Sequence, residues 1–294
     1  MSVIFYDRWM TVNLRSLSGY LFCFSLAAGV AAAVVSDYNR EKEIGNRLQR
    51  DLSLGDIVWL ETGKTGKTFP ALVTFPRIEK EQQSQKAVIM VHGMGGHPDW
   101  PDVISPLRRH FYERGNPSLS LQMPILAAGR PYEEYGQTIL AAMERLRQGI
   151  RYLRNIGYDE IYIVGYGFGA TTAAAFLDTE TDTSVKAFIG VSILSQKYLK
   201  PRPNINRYLQ SITIPVLDVY AEHDFRSIRE TATERKTAAR KNKQTRYSQL
   251  MVDKAGHSFT DKTDKLITSI DDWLQKVEFA TRIKDMKTRT NDRQ

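Results

Sequence analysis

Short apolar runs alternate with amphipathic stretches along most of the chain, and the spacing predicts strands and helices in turn. Segments 56–61 (DIVWLE) and 69–75 (FPALVTF) read as a hairpin around the turn GKTGK. Segment 86–93 (KAVIMVHG) is apolar without alternation and ends in glycine, as a buried parallel strand does. A helix is expected over 100–114 and a strand over 118–123. The clearest helix is 133–156. Its Ile139, Met143, Leu146, Ile150 and Leu153 recur at steps of four and three and so share one face. Arg145, Arg147, Arg151 and Arg154 fall off that stripe and are expected in water. Then come a strand at 160–165, a glycine turn, a helix at 169–178 and strands at 185–194 and 215–221. A helix at 226–242, a strand at 246–252 and a helix at 261–277 follow, with a polar, frayed tail at 279–294.

Strands alternating with helices imply a doubly wound, mainly parallel sheet. The interval between 194 and 215 is too short for a large lid domain, and no internal repeat is present. At 294 residues the chain holds one such domain, expected over 55–278, with the polar residues 37–54 as a connector. The N-terminus differs. The 21 residues 16–36 carry no charge, follow Arg8 and Arg15, and end rich in alanine. These are the features of a secretory signal. The same length also suits a membrane anchor. The expected location is therefore the periplasm, or the inner membrane if residues 16–36 stay in place.

Composition narrows the chemistry. Cys23 is the only cysteine, which excludes disulfides and cysteine-based metal sites from the rest of the chain. Of the net charge of +8, Arg8 and Arg15 against Asp7 supply one unit, leaving +7 for residues 37–294. Much of the excess lies between Arg226 and Arg246, which reads as a solvated helix face or a surface for anionic partners. No nucleic-acid recognition motif is present.

Four loops at the carboxyl ends of predicted strands carry the candidate chemistry, where open α/β sheets place their sites. They are Val91-His92-Gly93-Met94-Gly95-Gly96-His97-Pro98-Asp99-Trp100, Gly165-Tyr166-Gly167-Phe168-Gly169-Ala170, Ala221-Glu222-His223-Asp224, and Ala255-Gly256-His257-Ser258-Phe259. In this order they resemble the α/β-hydrolase fold: an oxyanion loop, a nucleophile elbow, an acid and a histidine. The resemblance covers roughly residues 56–278. It implies that Asp224 orients His257, and that His92, Gly93, Met94, Phe168, His97 and Asp99 line an oxyanion or ligand site; the plainer alternative packs His92 under the oxyanion loop and leaves His97 and His223 at the rim. The elbow, however, offers Gly167 where the fold's hydrolases carry a nucleophile. Gly96-His97-Pro98-Asp99-Trp100 with Pro106-Leu107-Arg108 and the glycine elbow further resembles a bacterial α/β-hydrolase-like family of unknown function.

Competing readings of the same residues are weaker. The elbow also fits G-x-G-x-x-A, but the following strand ends without the acid that a dinucleotide ribose needs. The turn GKTGKT lacks the first glycine of a phosphate loop. His92, His97 and His223 with Asp99 or Asp224 follow no known ligand spacing, so neither metal nor cofactor is expected. Ser192, Thr171 and Thr172 are possible substitute nucleophiles. Two functions stay open: non-catalytic binding of a small molecule or envelope protein, and a divergent ester or amide hydrolase that activates water through Asp224 and His257.

Overall fold

The structure is a computed structural model that describes residues 36–63, 65–77, 85–243 and 246–291. The segment read as a signal or anchor, and Cys23 within it, lie outside the described residues. Strands β1 (Asp56–Glu61), β2 (Thr68–Thr74), β3 (Lys86–Val91), β4 (Ser118–Leu121), β5 (Glu160–Tyr166), β6 (Val185–Val191), β7 (Val216–His223) and β8 (Tyr247–Gly256) form one sheet. Its order is β1-β2-β4-β3-β5-β6-β7-β8. β2 runs antiparallel to both neighbours, and every pair from β4 to β8 is parallel.

Two-residue periodicity gives the sheet two apolar faces. Ala87, Ile89 and Val91 of β3 join Ile161 and Ile163 of β5 on one face, while Val88, Met90, Tyr162 and Val164 occupy the other. The first face is covered by α3 (Ile139–Asn155), α4 (Phe168–Thr179) and α5 (Ile205–Ser211). The second is covered by α2 (Ile104–Glu113) and α8 (Thr263–Asn291), through Leu107, Phe111, Leu266 and Ile270. All five stripe residues of α3 are buried. A 3-10 helix, Tyr132–Thr138, fills the start of the predicted long helix.

Several expectations change. Residues 37–54 are no free connector: they form α1 (Tyr38–Asp51), whose Ile44 and Leu48 pack on Ile125. Arg145 does not lie in water. It is fully buried and pairs with Glu41 of α1 at 2.9 Å, while it also donates to the Gln122 carbonyl at 2.8 Å. The basic segment is two helices, α6 (Arg226–Glu230) and α7 (Ala232–Arg240), and its Arg235 is buried on Asp218 of β7 at 2.7 Å. A permanent cation enters a core only when a carboxylate there offsets its desolvation. α8 runs past its expected end to Asn291, held by Glu278, which pairs with Lys86 at 2.8 Å. β6 stops at Val191 because Ser192 turns the chain at φ 53°. β8 extends beyond 252, with a register shift opposite Ala221 and His223 and a left-handed Lys254 (φ 54°).

Candidate functional site

The four loops meet at the carboxyl end of the sheet. β3 delivers His92 into the interior, where it is buried beneath the small hollow beside Gly93 and Met94. Met123 N–H donates to its Nε2 at 2.9 Å, so Nδ1 keeps the proton and donates to the Gly93 carbonyl at 2.7 Å. Burial lowers the imidazole pKa from 6.5 to about 3, which keeps the ring neutral. His92 therefore braces the 93–97 loop from below. The structure thus gives His92 the packed place under the loop, and not one at a ligand.

Asp99 is likewise a brace. The fully buried Arg108 donates to its Oδ1 through Nη2 at 2.7 Å and Nε at 3.2 Å, and reaches the Leu54 carbonyl and Thr74 Oγ1 through Nη1. His97 Nδ1 accepts from Asp99 N–H at 3.2 Å, and the ring packs edge-on to Trp100. Burial lowers the His97 pKa, partly countered by Asp99. The segment that carried the closer resemblance thus fastens α2 to the oxyanion loop.

β5 leads into the elbow. A Cβ on Gly165 would come within 2.7 Å of the Ala170 nitrogen, and one on Gly169 within 2.2 Å of the Val91 carbonyl oxygen. Both must be glycine because strand and helix close on each other there. Gly167 is different. It sits at φ 57°, ψ −118° as the N-cap of α4, and a Cβ there would meet only Gly93 Cα, at 3.9 Å. Phe168, the first residue of α4, has no intrahelical acceptor for its N–H, which leaves a donor at the turn.

Asp224 and His257 come together as expected. His257 Nδ1–H donates to Asp224 Oδ1 at 2.6 Å, which leaves Nε2 as the basic nitrogen. Asp224 also accepts from Phe225 N–H at 2.9 Å and, through Oδ2, from Ala221 N–H at 3.2 Å and Ser192 Oγ at 2.5 Å. Burial pushes this carboxyl up, but the bonds from His257 and Ser192 outweigh it and hold the pKa below its ordinary value. The imidazole stacks between Phe225, at 4.1 Å, and Tyr166, at 5.2 Å. Tyr166 immediately precedes Gly167 and donates its hydroxyl to the His257 carbonyl at 3.2 Å, so the ring lies beside the elbow.

None of the substitute nucleophiles is free to attack. Ser192 is buried on Asp224, Thr171 donates to the Leu194 carbonyl at 2.7 Å, and Thr172 is buried. His223 lies exposed at the end of β7. The acids considered as metal ligands are engaged with Arg108 and His257, and no group of three potential ligands converges among the described residues. Between Gly93, Met94, Tyr135, Phe168 and Thr172 the free volume is about 10 Å³, at the lower limit for one water. A hollow of about 970 Å³ lies at the opposite end of the sheet, near Tyr162, Val185 and Glu278. Sequence reasoning missed Ser192 as a partner of Asp224 and Tyr166 as the ring's support. Only the position of Ser192 at the end of a strand beside the acid's strand hinted at the first.

The fold has many relatives among solved structures. Est1E from Butyrivibrio proteoclasticus superimposes with a TM-score of 0.58 at 14% identity, covering 76% of this chain and 98% of that one. The Pyrococcus furiosus esterase Pf2001 gives 0.58 at 14% identity, covering 77% and 94%. XC6422 from Xanthomonas campestris, described as an α/β serine hydrolase without lid, gives 0.56 at 13%, covering 76% and 95%. At these identities the likeness establishes the α/β-hydrolase fold. No curated protein matches the chain. A family described as a protein of unknown function (DUF3530) matches over residues 28–138 and 134–276.

Proposed function

The chain belongs to this family of unknown function, and from that premise we propose an exported α/β-hydrolase-like protein that binds a ligand or partner without covalent catalysis. Gly167 carries this reading. The two flanking glycines are demanded by backbone contacts, but the space at Gly167 would admit a side chain, and none is there. Covalent catalysis needs an attacking atom within about 3.5 Å of the reacting carbon. Export rests on the uncharged run 16–36, and a C-terminal reporter that is active in the cytoplasm would overturn it.

A second reading, water-dependent hydrolysis of an ester or amide, draws support from the intact Asp224–His257 pair. A fluorophosphonate probe separates covalent from non-covalent chemistry. Wild-type protein stays unlabelled, and Gly167→Ser, whose Cβ meets no close atom although φ 57° strains it, takes up label at residue 167. Stoichiometric labelling of the wild type, mapped to Ser192 or another cleft residue, sinks the non-catalytic reading. Turnover of a panel of esters without labelling, lost in His257→Gln, replaces it with the second.

A further inference from the structure

The rim of the cleft nearest α1 has an unusual surface. Tyr132 is 63% exposed and Tyr198 is 42% exposed. The segment between β6 and α5 adds exposed Lys197, Lys200 and Arg202. It is held on the 3-10 helix by the Lys200 N–H, which donates to the Glu133 carbonyl at 2.8 Å. Arg130 beside them is paired with Glu134, and Glu133 lies near Tyr198.

The chain enters the domain at this same rim. Asp37 N–H donates to the Ile125 carbonyl at 2.9 Å, and Arg40 reaches the Leu126 carbonyl at 3.4 Å. Both acceptors lie just past the carboxyl end of β4. Tyr135, whose hydroxyl lies against the Leu126 backbone, stacks with Tyr132 at 5.8 Å. The first described residues, Ser36 and Asp37, thus lie at this rim, and the uncharged run 16–36 ends there in the sequence.

We infer that this rim is a docking surface for an anionic phospholipid bilayer, so that the carboxyl end of the sheet faces the membrane. Tyrosine rings lodge at the headgroup level, where an apolar body and a polar tip are both satisfied. Lysine and arginine beside them gain from the negative surface potential. The charge and the end of the uncharged run at this rim favour lipid over a second copy, because two such cationic rims repel. The inference does not depend on what occupies the cleft.

The experiment uses the full chain with Cys23→Ser and a fluorophore on a single introduced cysteine, at Tyr132, at Tyr198, or at Thr181 as the control. Thr181 is exposed between α4 and β6, at the opposite end of the sheet. The protein is reconstituted into vesicles of neutral and anionic phospholipid containing a headgroup-depth quencher. Labels at 132 and 198 shift to shorter wavelength and are quenched, while the label at 181 is not. Reversing Lys197, Lys200 and Arg202 to glutamate removes the quenching, as does raising salt until the Debye length falls to about 3 Å. Equal quenching at both ends, or none at the rim, overturns the inference. So does protection of the rim labels that rises with protein concentration in the absence of vesicles, the signature of a second copy.

Discussion

Strand β7 carries one buried carboxylate and delivers a second just past its end, and their surroundings differ in kind. Asp218, in the middle, accepts from Arg235 at 2.7 and 3.2 Å, from the Tyr247 hydroxyl at 2.5 Å and from Gln249 at 3.0 Å. Burial lowers the Arg235 pKa, but Asp218 outweighs it and the guanidinium stays charged. Asp224, just past the carboxyl end, meets a half-covered imidazole instead. The first acid ties β7, α7 and β8 together with a permanent cation. The second holds a group that can give and take a proton. A buried acid is thus classified by its partner: guanidinium for a clamp, imidazole for a site.

The larger expected effect tests the clamp. Asp218→Ala leaves Arg235 buried and unpaired, which costs about 3–5 kcal/mol in urea unfolding. A cost no larger than that at Asp224 would erase the distinction. The smaller effect tests the other acid. Asp224→Asn keeps the shape but loses the charge, and costs about 1–2 kcal/mol at neutral pH. Because folding lowers the Asp224 pKa, its contribution is present above the ordinary carboxylate value and is lost as pH falls through the folded value. The two unfolding curves therefore converge in acid. His92 also destabilises the fold in acid, since the unfolded chain takes its proton below 6.5 and the folded one only near 3. That term is common to both proteins and cancels in the difference. A cost for Asp224→Asn that stays constant down to the lowest pH at which the protein folds would refute the linkage.

The sheet was legible from short apolar runs alternating with helices, and the acid–histidine pair from the resemblance of the four strand-end loops, in their order, to the α/β-hydrolase fold. What the pattern hid were arginines. Arg108, Arg145 and Arg235 are all fully buried, yet each scores as a surface residue in any apolar periodicity. Their partners Asp99, Glu41 and Asp218 lie 9, 104 and 17 residues away. For Arg145 no local window contains the carboxylate that permits its burial. The same blindness turned α1 into a connector, since Glu41 reads as solvent-facing until Arg145 is placed opposite it. The lengths of α8 and β8 were missed for a simpler reason: both end among polar residues with weak stop signals.

The outer edge of β8 bears on how the protein behaves in a crowd. A terminal strand offers unused backbone donors and acceptors to any extended chain that drifts past, and a flat one seeds ribbons that grow without limit. Here the edge is interrupted near its carboxyl end. Lys254 turns the strand through a left-handed residue, with its N–H given inward to Glu222 of β7 at 2.7 Å. Asp253 beside it is paired with Lys265 of α8. Strand addition along β8 is cut short before it can propagate, and the sheet ends with its own chain.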